Sequence, residues 1–355
     1  MNSKERVRTA FAHHEPDRVP VDYHANPEID LRLKQHFGLA ADDDEQLRRR
    51  LGVDFRWAGA PYTGPELHAA EPGIRRTIWG ARTTWIEHSG GGYWDFCEWP
   101  LRDAGMDEIE AWPMPDPDHF DYDAAARDCR EHADYYVFAG GEGTGDTINQ
   151  TAFLRHMERV MIDLITDDPA GLRLIDRRQD IELEVLRRTL AACNGGADMV
   201  VIGDDLGSQR GPLLSLDLFR RHVRPRLQRY VDLAASYNLP VMMHSDGSVD
   251  WVYEDLIEMG ISVVDAVQIE CANMDPVSLK QRFGDRLSFH GVWPTTLAVE
   301  HGTVDEAVAE ACDILAIMMP GGGFAMSPAH LIQSTSPVEN VIAVYEMIQE
   351  QGKYQ

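Results

Sequence analysis

No apolar run in the sequence approaches the ~18–20 residues a membrane-spanning helix needs, so no membrane span is expected. Met1-Asn2-Ser3-Lys4-Glu5-Arg6 also lacks the apolar core of a secretory signal, and a cytoplasmic protein is the expectation. Cysteine is scarce. The five residues (Cys97, Cys129, Cys193, Cys271, Cys312) are far apart and form no Cys-x-x-Cys, which argues against a disulfide framework and a cysteine-only zinc site. Basic residues are few as well, 33 against 59 acidic ones, for a formal charge of −26 with the 14 His neutral. So negative a surface repels phosphate backbones and anionic lipid, which makes nucleic acid and membrane poor partners. A small-molecule substrate is expected instead. No Gly-x-Ser-x-Gly elbow occurs, and Gly140-Gly141-Glu142-Gly143-Thr144-Gly145 has no lysine for a phosphate loop.

What is present is a repeating pattern. Asn2 and Glu5 can form a capping box for a first helix. Residues 19–24 and 53–57 read as short extended pieces, with helices over 28–51 broken by an acidic run at 41–45. Residues 73–99 alternate and are punctuated by Gly80 and Gly90-Gly91-Gly92, the signature of an antiparallel hairpin insertion. After the proline-rich connector at 112–118, strands are expected at 135–139, 198–203, 241–244, 261–269, 286–289 and 323–326. Helical stretches separate them, and Pro225 predicts a kink in the one over 216–237. Strand and helix alternating at this spacing specify right-handed crossovers and a parallel sheet. Seven or eight such units in one domain, 1–355, predict a distorted (β/α)8 TIM barrel.

In such a barrel the strand ends gather at one mouth, where active sites lie. The apolar run Val241-Met242-Met243 ends in His244-Ser245-Asp246-Gly247, and the pattern recurs at Asp204-Asp205, Gln268-Ile269-Glu270, His290 and Ser327/His330. Five successive strands ending in acid, imidazole or amide exceed what packing requires. Adjacent carboxylates at a closed mouth should have separated pKa values, which makes Asp204 or Asp205 the candidate acid/base. The plainer reading has one of the two capping the following turn. His244 and His290 with Asp246, Glu270 or Cys271 would suit zinc; against that, His244 is simply a hydrogen-bonded imidazole. The aromatic residues Trp79, Trp85, Tyr93, Trp94 and Trp99 of the insertion either pack on the barrel or form a lid or a homodimer contact.

Several segments resemble the uroporphyrinogen decarboxylase superfamily, which includes zinc-dependent methyltransferases that serve corrinoid proteins. They are Glu15-Pro16-Asp17-Arg18-Val19-Pro20, Gly203-Asp204-Asp205-Leu206-Gly207-Ser208-Gln209-Arg210-Gly211, His244-Ser245-Asp246-Gly247, Phe289-His290-Gly291 and Pro320-Gly321-Gly322-Gly323. The resemblance implies a distorted (β/α)8 barrel. It also implies catalytic roles for Asp204, Asp205, His244, Asp246 and His330, and substrate contacts from Ser208, Gln209, Arg210, Gln268 and His290. The decarboxylases' early Arg-Gln-Ala-Gly-Arg clamp is replaced by Val21-Asp22-Tyr23-His24-Ala25-Asn26-Pro27-Glu28, without an arginine. The methyltransferases' His-x-Cys becomes His244-Ser245-Asp246, and their later Cys has no counterpart in Ser327-Pro328-Ala329-His330. The expectation is a methyltransferase or demethylase with a corrinoid (cobalamin) protein as partner, and zinc held at His244 with Glu270 or Cys271. A decarboxylase of a tetrapyrrole or other carboxylic acid is the alternative, and a non-catalytic tetrapyrrole- or corrinoid-binding protein the third.

Overall fold

The computed structural model describes residues 1–88 and 91–354. Seven parallel strands run in sequence order around a curled sheet: β1 (Phe55–Ala58), β5 (Tyr136–Gly140), β6 (Met199–Gly203), β9 (Val241–His244), β10 (Val263–Asp265), β11 (Ser288–His290) and β12 (Phe324–Ala325). The extended piece around Val21 completes the circle. Val21 bridges in parallel to Met326, and the Asp54 N–H donates to the Val21 carbonyl at 2.8 Å. The barrel therefore closes, in a distorted form whose eighth position holds a bridge instead of a full strand.

Two apolar layers follow from the period of 2 along each strand. Phe55, Tyr136, Phe138, Met199, Val201, Met242, Val263 and Ala325 point inward and are buried together with Val7. Val7 belongs to the helix Ser3–Phe11, capped by Asn2 and Glu5 as the sequence predicts, and this helix plugs the amino-terminal end of the barrel. The alternate residues, such as Val200, Ile202, Val241, Met243 and Val264, face the helices outside. Asp22, His244, Asp265 and His290 continue the inward rows, so a polar layer caps the apolar interior.

The insertion is the expected antiparallel sheet of β2 (Ile74–Arg76), β3 (Arg82–His88) and β4 (Gly91–Glu98). Gly90, part of the turn read from the sequence, lies outside the described residues. Phe96 of this sheet stacks on Phe153 of the helix Asn149–Arg155, with ring centroids 3.6 Å apart. Trp99 packs edge-on against His156, and the Trp112 indole N–H donates to the Trp79 carbonyl. Trp85, Tyr93 and Trp94 are exposed. A two-residue hairpin, β7 (Gly207–Ser208) with β8 (Gly211–Pro212), follows β6.

Two expectations need correction. The helix over 216–237 is not simply kinked: a π-helical turn, Phe219–Val223, precedes Arg224–Ser236, so Pro225 stands in the first turn of a new α-helical piece. There its missing N–H leaves no bond broken. The strand expected over 261–269 stops at Asp265, because Ala266 adopts a left-handed φ of 63°. A turn then carries Gln268, Glu270 and Cys271 away from the strand axis.

Candidate active site

At the carboxyl ends of the strands lies a cavity of about 290 Å³, lined by His24, Asp205, His244, Asp246, Asp265 and His330. Glu142, Asp146, Asn149, Gln150 and Phe153 complete most of the remaining wall. Neither lysine nor arginine is among its lining residues. Close backbone approaches shape it: a Cβ on Gly203 would meet the Glu142 carbonyl oxygen at 2.0 Å, and Gly247, at φ +87°, sits against Gly207. Only glycine permits either approach.

His244, the last residue of β9, points into this space with Nδ1 2.6 Å from Asp265 Oδ2. The other Asp265 oxygen lies 2.5 Å from His290 Nδ1, and His290 Nε2 lies 3.2 Å from Asp22 Oδ2. That same Asp22 oxygen is 3.2 Å from His24 Nε2. Burial alone would push both carboxyls up. The imidazoles on either side outweigh it and hold Asp22 and Asp265 well below the usual carboxylate range. By the same exchange, burial would lower His244 and His290, yet their carboxylate partners raise each to about 10.

Asp246 stands at the rim, with a carboxylate oxygen within 4.8 Å of a His244 ring nitrogen. Its Oδ1 accepts from Gln268 Nε2 and its Oδ2 lies 3.8 Å from His330 Nε2. Burial lifts its carboxyl to about 6 against the pull of His244, with the Asp205 charge adding to the rise. Asp205 accepts from Asn149 Nδ2 at 2.6 Å and from the Asp246 N–H at 2.9 Å.

The structure thus gathers Asp205, His244, Asp246 and His330, and parts them from other residues singled out in the sequence. Asp204 falls on the outward side of its strand. It is buried and accepts from the N–H groups of Thr147 and Ile148, which fixes the start of the helix that carries Asn149. Burial pushes its carboxyl up to about 7, but it lines no part of the cavity, so it anchors backbone and is not an acid facing substrate. Ser208 donates to the Gly211 carbonyl within its hairpin, and Gln209 and Arg210 are exposed at the turn. None of these three lines the cavity. Gln268 acts through Asp246 and the Gly247 N–H, and His290 lies beneath the floor. Sequence reasoning missed Asp265 because the strand was drawn four residues too long. It also read Asp22 and His24 only as an extended piece.

The expected zinc set is not assembled. Glu270 is exposed, and Cys271 Sγ faces Gln268 Oε1 at 3.6 Å. The turn at Ala266 removes both from His244. Two other groups bring ligand atoms within 4.8 Å of one another, Glu142/His244/Asp265 and Asp205/His244/Asp246. In both, thiolates are lacking, and apart from His244 Nε2 and the Glu142 carboxylate the donors already hold hydrogen-bond partners. His244 and Asp265 bind each other, Asp205 serves Asn149 and the Asp246 N–H, and Asp246 serves Gln268. These residues do not fit a thiolate-held zinc.

The model of the uroporphyrinogen decarboxylase family matches residues 148–351, more than half the chain. The protein belongs to this family. No curated protein matches the sequence. Among solved structures, a methyltransferase from Methanosarcina mazei is similar over 99% of both chains, at 20% identity and a TM-score of 0.63. A 3-keto-D-glucoside 4-epimerase from E. coli matches 69% of this chain and 84% of its own, at 12% identity and a TM-score of 0.41. Within the family fold, then, this member's mouth carries imidazoles and carboxylates where a polycarboxylate substrate would require cations. Among the described residues no helix is long and apolar enough to cross a membrane.

Proposed function

We propose that this member of the uroporphyrinogen decarboxylase family is a methyltransferase that removes a methyl group from a small molecule, with a corrinoid carried by a partner protein as acceptor substrate. The observation that carries the reading is the cavity lining: three imidazoles and five carboxylates, without an arginine or lysine. A porphyrinogen bearing several carboxylates would meet repulsion there and no bidentate partner. The volume, about 290 Å³, sits at the lower edge of the ~300–1,000 Å³ typical of small-ligand sites.

Removing a methyl group from oxygen, nitrogen or sulfur leaves the bonding electron pair on that heteroatom. A proton delivered there makes it a better leaving group. His244 is built to supply one. Asp265 holds Nδ1, so Nε2 faces the cavity, and the raised pKa keeps the ring protonated near neutrality. The methyl–heteroatom bond breaks with its pair left on the heteroatom, the reduced, electron-rich acceptor supplies the pair of the new bond to the methyl, the proton moves from His244 Nε2 to the heteroatom, and solvent restores it. Asp246 and His330, at the rim, orient the donor.

The test incubates the protein with reduced free cobalamin and a panel of methylated ethers, amines and thioethers. Methylcobalamin and demethylated product should form together, with His244→Gln slower by about 10²–10⁴-fold, the usual worth of a general acid. Release of CO₂ from uroporphyrinogen without any methyl transfer would sink the reading in favour of the carboxy-lyase.

A further inference from the structure

We propose that the cavity takes a substrate bearing an alkylammonium group, seated among Asp146, Asp205 and the ring of Phe153. The heteroatom that His244 protonates is then a second group of the same molecule. That this heteroatom is methylated rests on the reading above; the cation site does not.

The charges around the cavity do not cancel. His24, His244 and His290 pair with Asp22, Asp265 and Glu142 at 2.5–3.8 Å, so even with all three rings protonated that set is neutral. Asp146, Asp205 and Asp246 remain. The one other imidazole in the lining, His330, lies 3.8 Å from Asp246. Among the described residues no lysine or arginine forms an ion pair with any of the three; Arg178, outside the lining, is paired with Glu182. Asp205 accepts from Asn149 Nδ2 and the Asp246 N–H, and Asp246 from Gln268 Nε2. Neutral amides steady these carboxylates without matching their charge, which leaves the cavity complementary to a cation.

Asp146 marks where the cation belongs. It is only 3% exposed, yet it lines the cavity. Its Oδ1 accepts from the Gln150 N–H at 2.9 Å. Among the described residues its Oδ2 accepts nothing, and that atom is not sealed from solvent. Steadying the helix start takes one oxygen; the second, buried in a wall and unpaired, is costly without a ligand to meet it. Phe153 supplies the other half of the seat. It shares a face of the helix Asn149–Arg155 with Asn149, and both line the cavity. Phe96 covers one side of its ring, with centroids 3.6 Å and planes 5° apart, so the ring is held still and the opposite π-face is the one left for a ligand. An alkylammonium uses both features: its charge meets the carboxylates, and its methyl or methylene groups pack on the ring face by cation–π attraction. A bare metal ion has no use for the ring, and a neutral ligand none for the charge.

Isothermal titration calorimetry of the full chain tests this without any turnover, with EDTA present so that no metal ion contributes. The probes are choline, its neutral isostere 3,3-dimethylbutan-1-ol and the anion 3,3-dimethylbutanoate. Choline should bind at least about tenfold more tightly than the alcohol, and the anion more weakly than either. Asp146→Asn, which keeps an oxygen for the Gln150 N–H, and Phe153→Leu should each cut the preference for choline over the alcohol by about three- to tenfold. No choline binding at millimolar concentration, equal affinity for choline and the alcohol, tighter binding of the anion, or a preference indifferent to both substitutions would each overturn the proposal. So would choline binding that appears only when EDTA is left out. The wild-type comparisons decide even if a variant fails to fold. Choline binding as expected without methyl transfer from O-methylcholine would reject the proposed reaction and leave the cation site standing.

Discussion

The cavity has two walls built on different principles. One is made of strand ends: Asp22 and His24 beside β12, His244, Asp265 and His290, packed on Phe55 and Phe138 and locked by contacts of 2.5–3.2 Å. The other is made of loops and a short helix, with Glu142, Asn149, Asp205, Asp246 and His330, less enclosed and tied by one or two hydrogen bonds at each of Asn149, Asp205 and Asp246. In the strand wall, opposite charges meet and stabilise one another. In the loop wall, like charges meet, and burial with the Asp205 charge holds the Asp246 carboxyl up at about 6 against the pull of His244. Rigid pairing on one side and stored repulsion on the other suit a site that orients a donor and then exchanges a proton.

The sharpest way to break this contrast is Asp265→Ala. It takes the shared carboxylate from His244 and His290 together and leaves a buried imidazolium short of a partner. Removing one member of a buried pair costs about 3–5 kcal/mol. Urea unfolding should show a loss of that size; a loss under ~1 kcal/mol would mean the strand wall is not the coupled unit described.

A smaller effect comes from pH. The folded pKa values of His244 and His290, about 10, lie above the unfolded value of 6.5. Their contribution is therefore complete below about pH 6.5 and is lost as pH climbs toward 10. Asp22 and Asp265 are depressed, so their contribution holds above pH 3.8 and fades only in stronger acid. The wild-type urea midpoint should fall between pH 7 and pH 10, and Asp265→Ala should show a flatter dependence over the same window. Parallel slopes would separate the histidines from the stability of the layer.

The two walls also differ in how far they could be read from sequence. The alternation of strand and helix was legible, and so was His244, because a run of three apolar residues ending in imidazole marks a strand end. Asp265 was not. Its strand ends at a left-handed Ala266, and no glycine signals such a turn, so the apolar run 261–269 was drawn through it and the mouth position was assigned to Gln268 and Glu270. Asp204 and Asp205 could not be told apart until the strand's parity was known: Gly203 points inward, Asp204 outward. Asp22 and His24 were visible as an extended piece, but their place in the site depends on barrel closure against Met326, 304 residues away in sequence. Closure of that kind leaves no local trace.

The smallest expected effect lies in the loop wall and has the opposite sign. The Asp246 carboxyl is raised, so its ionised form is less favourable in the folded chain than in the unfolded one, and it subtracts from stability increasingly as pH climbs from 3.8 to about 6, in full above that. Asp246→Asn removes the charge beside Asp205 while keeping an oxygen to accept from Gln268 Nε2. At pH 7.5 the variant should therefore unfold at higher urea, by about 1 kcal/mol, with the gain shrinking as pH falls through 6 and vanishing only below about 3.8, where the carboxyl is protonated in both states. The same substitution should slow methyl transfer, because the oxygen 3.8 Å from His330 no longer carries charge. Stability gained where activity is lost is the mark of a group kept for function. A destabilised Asp246→Asn would place this residue with the strand wall and erase the contrast between the two.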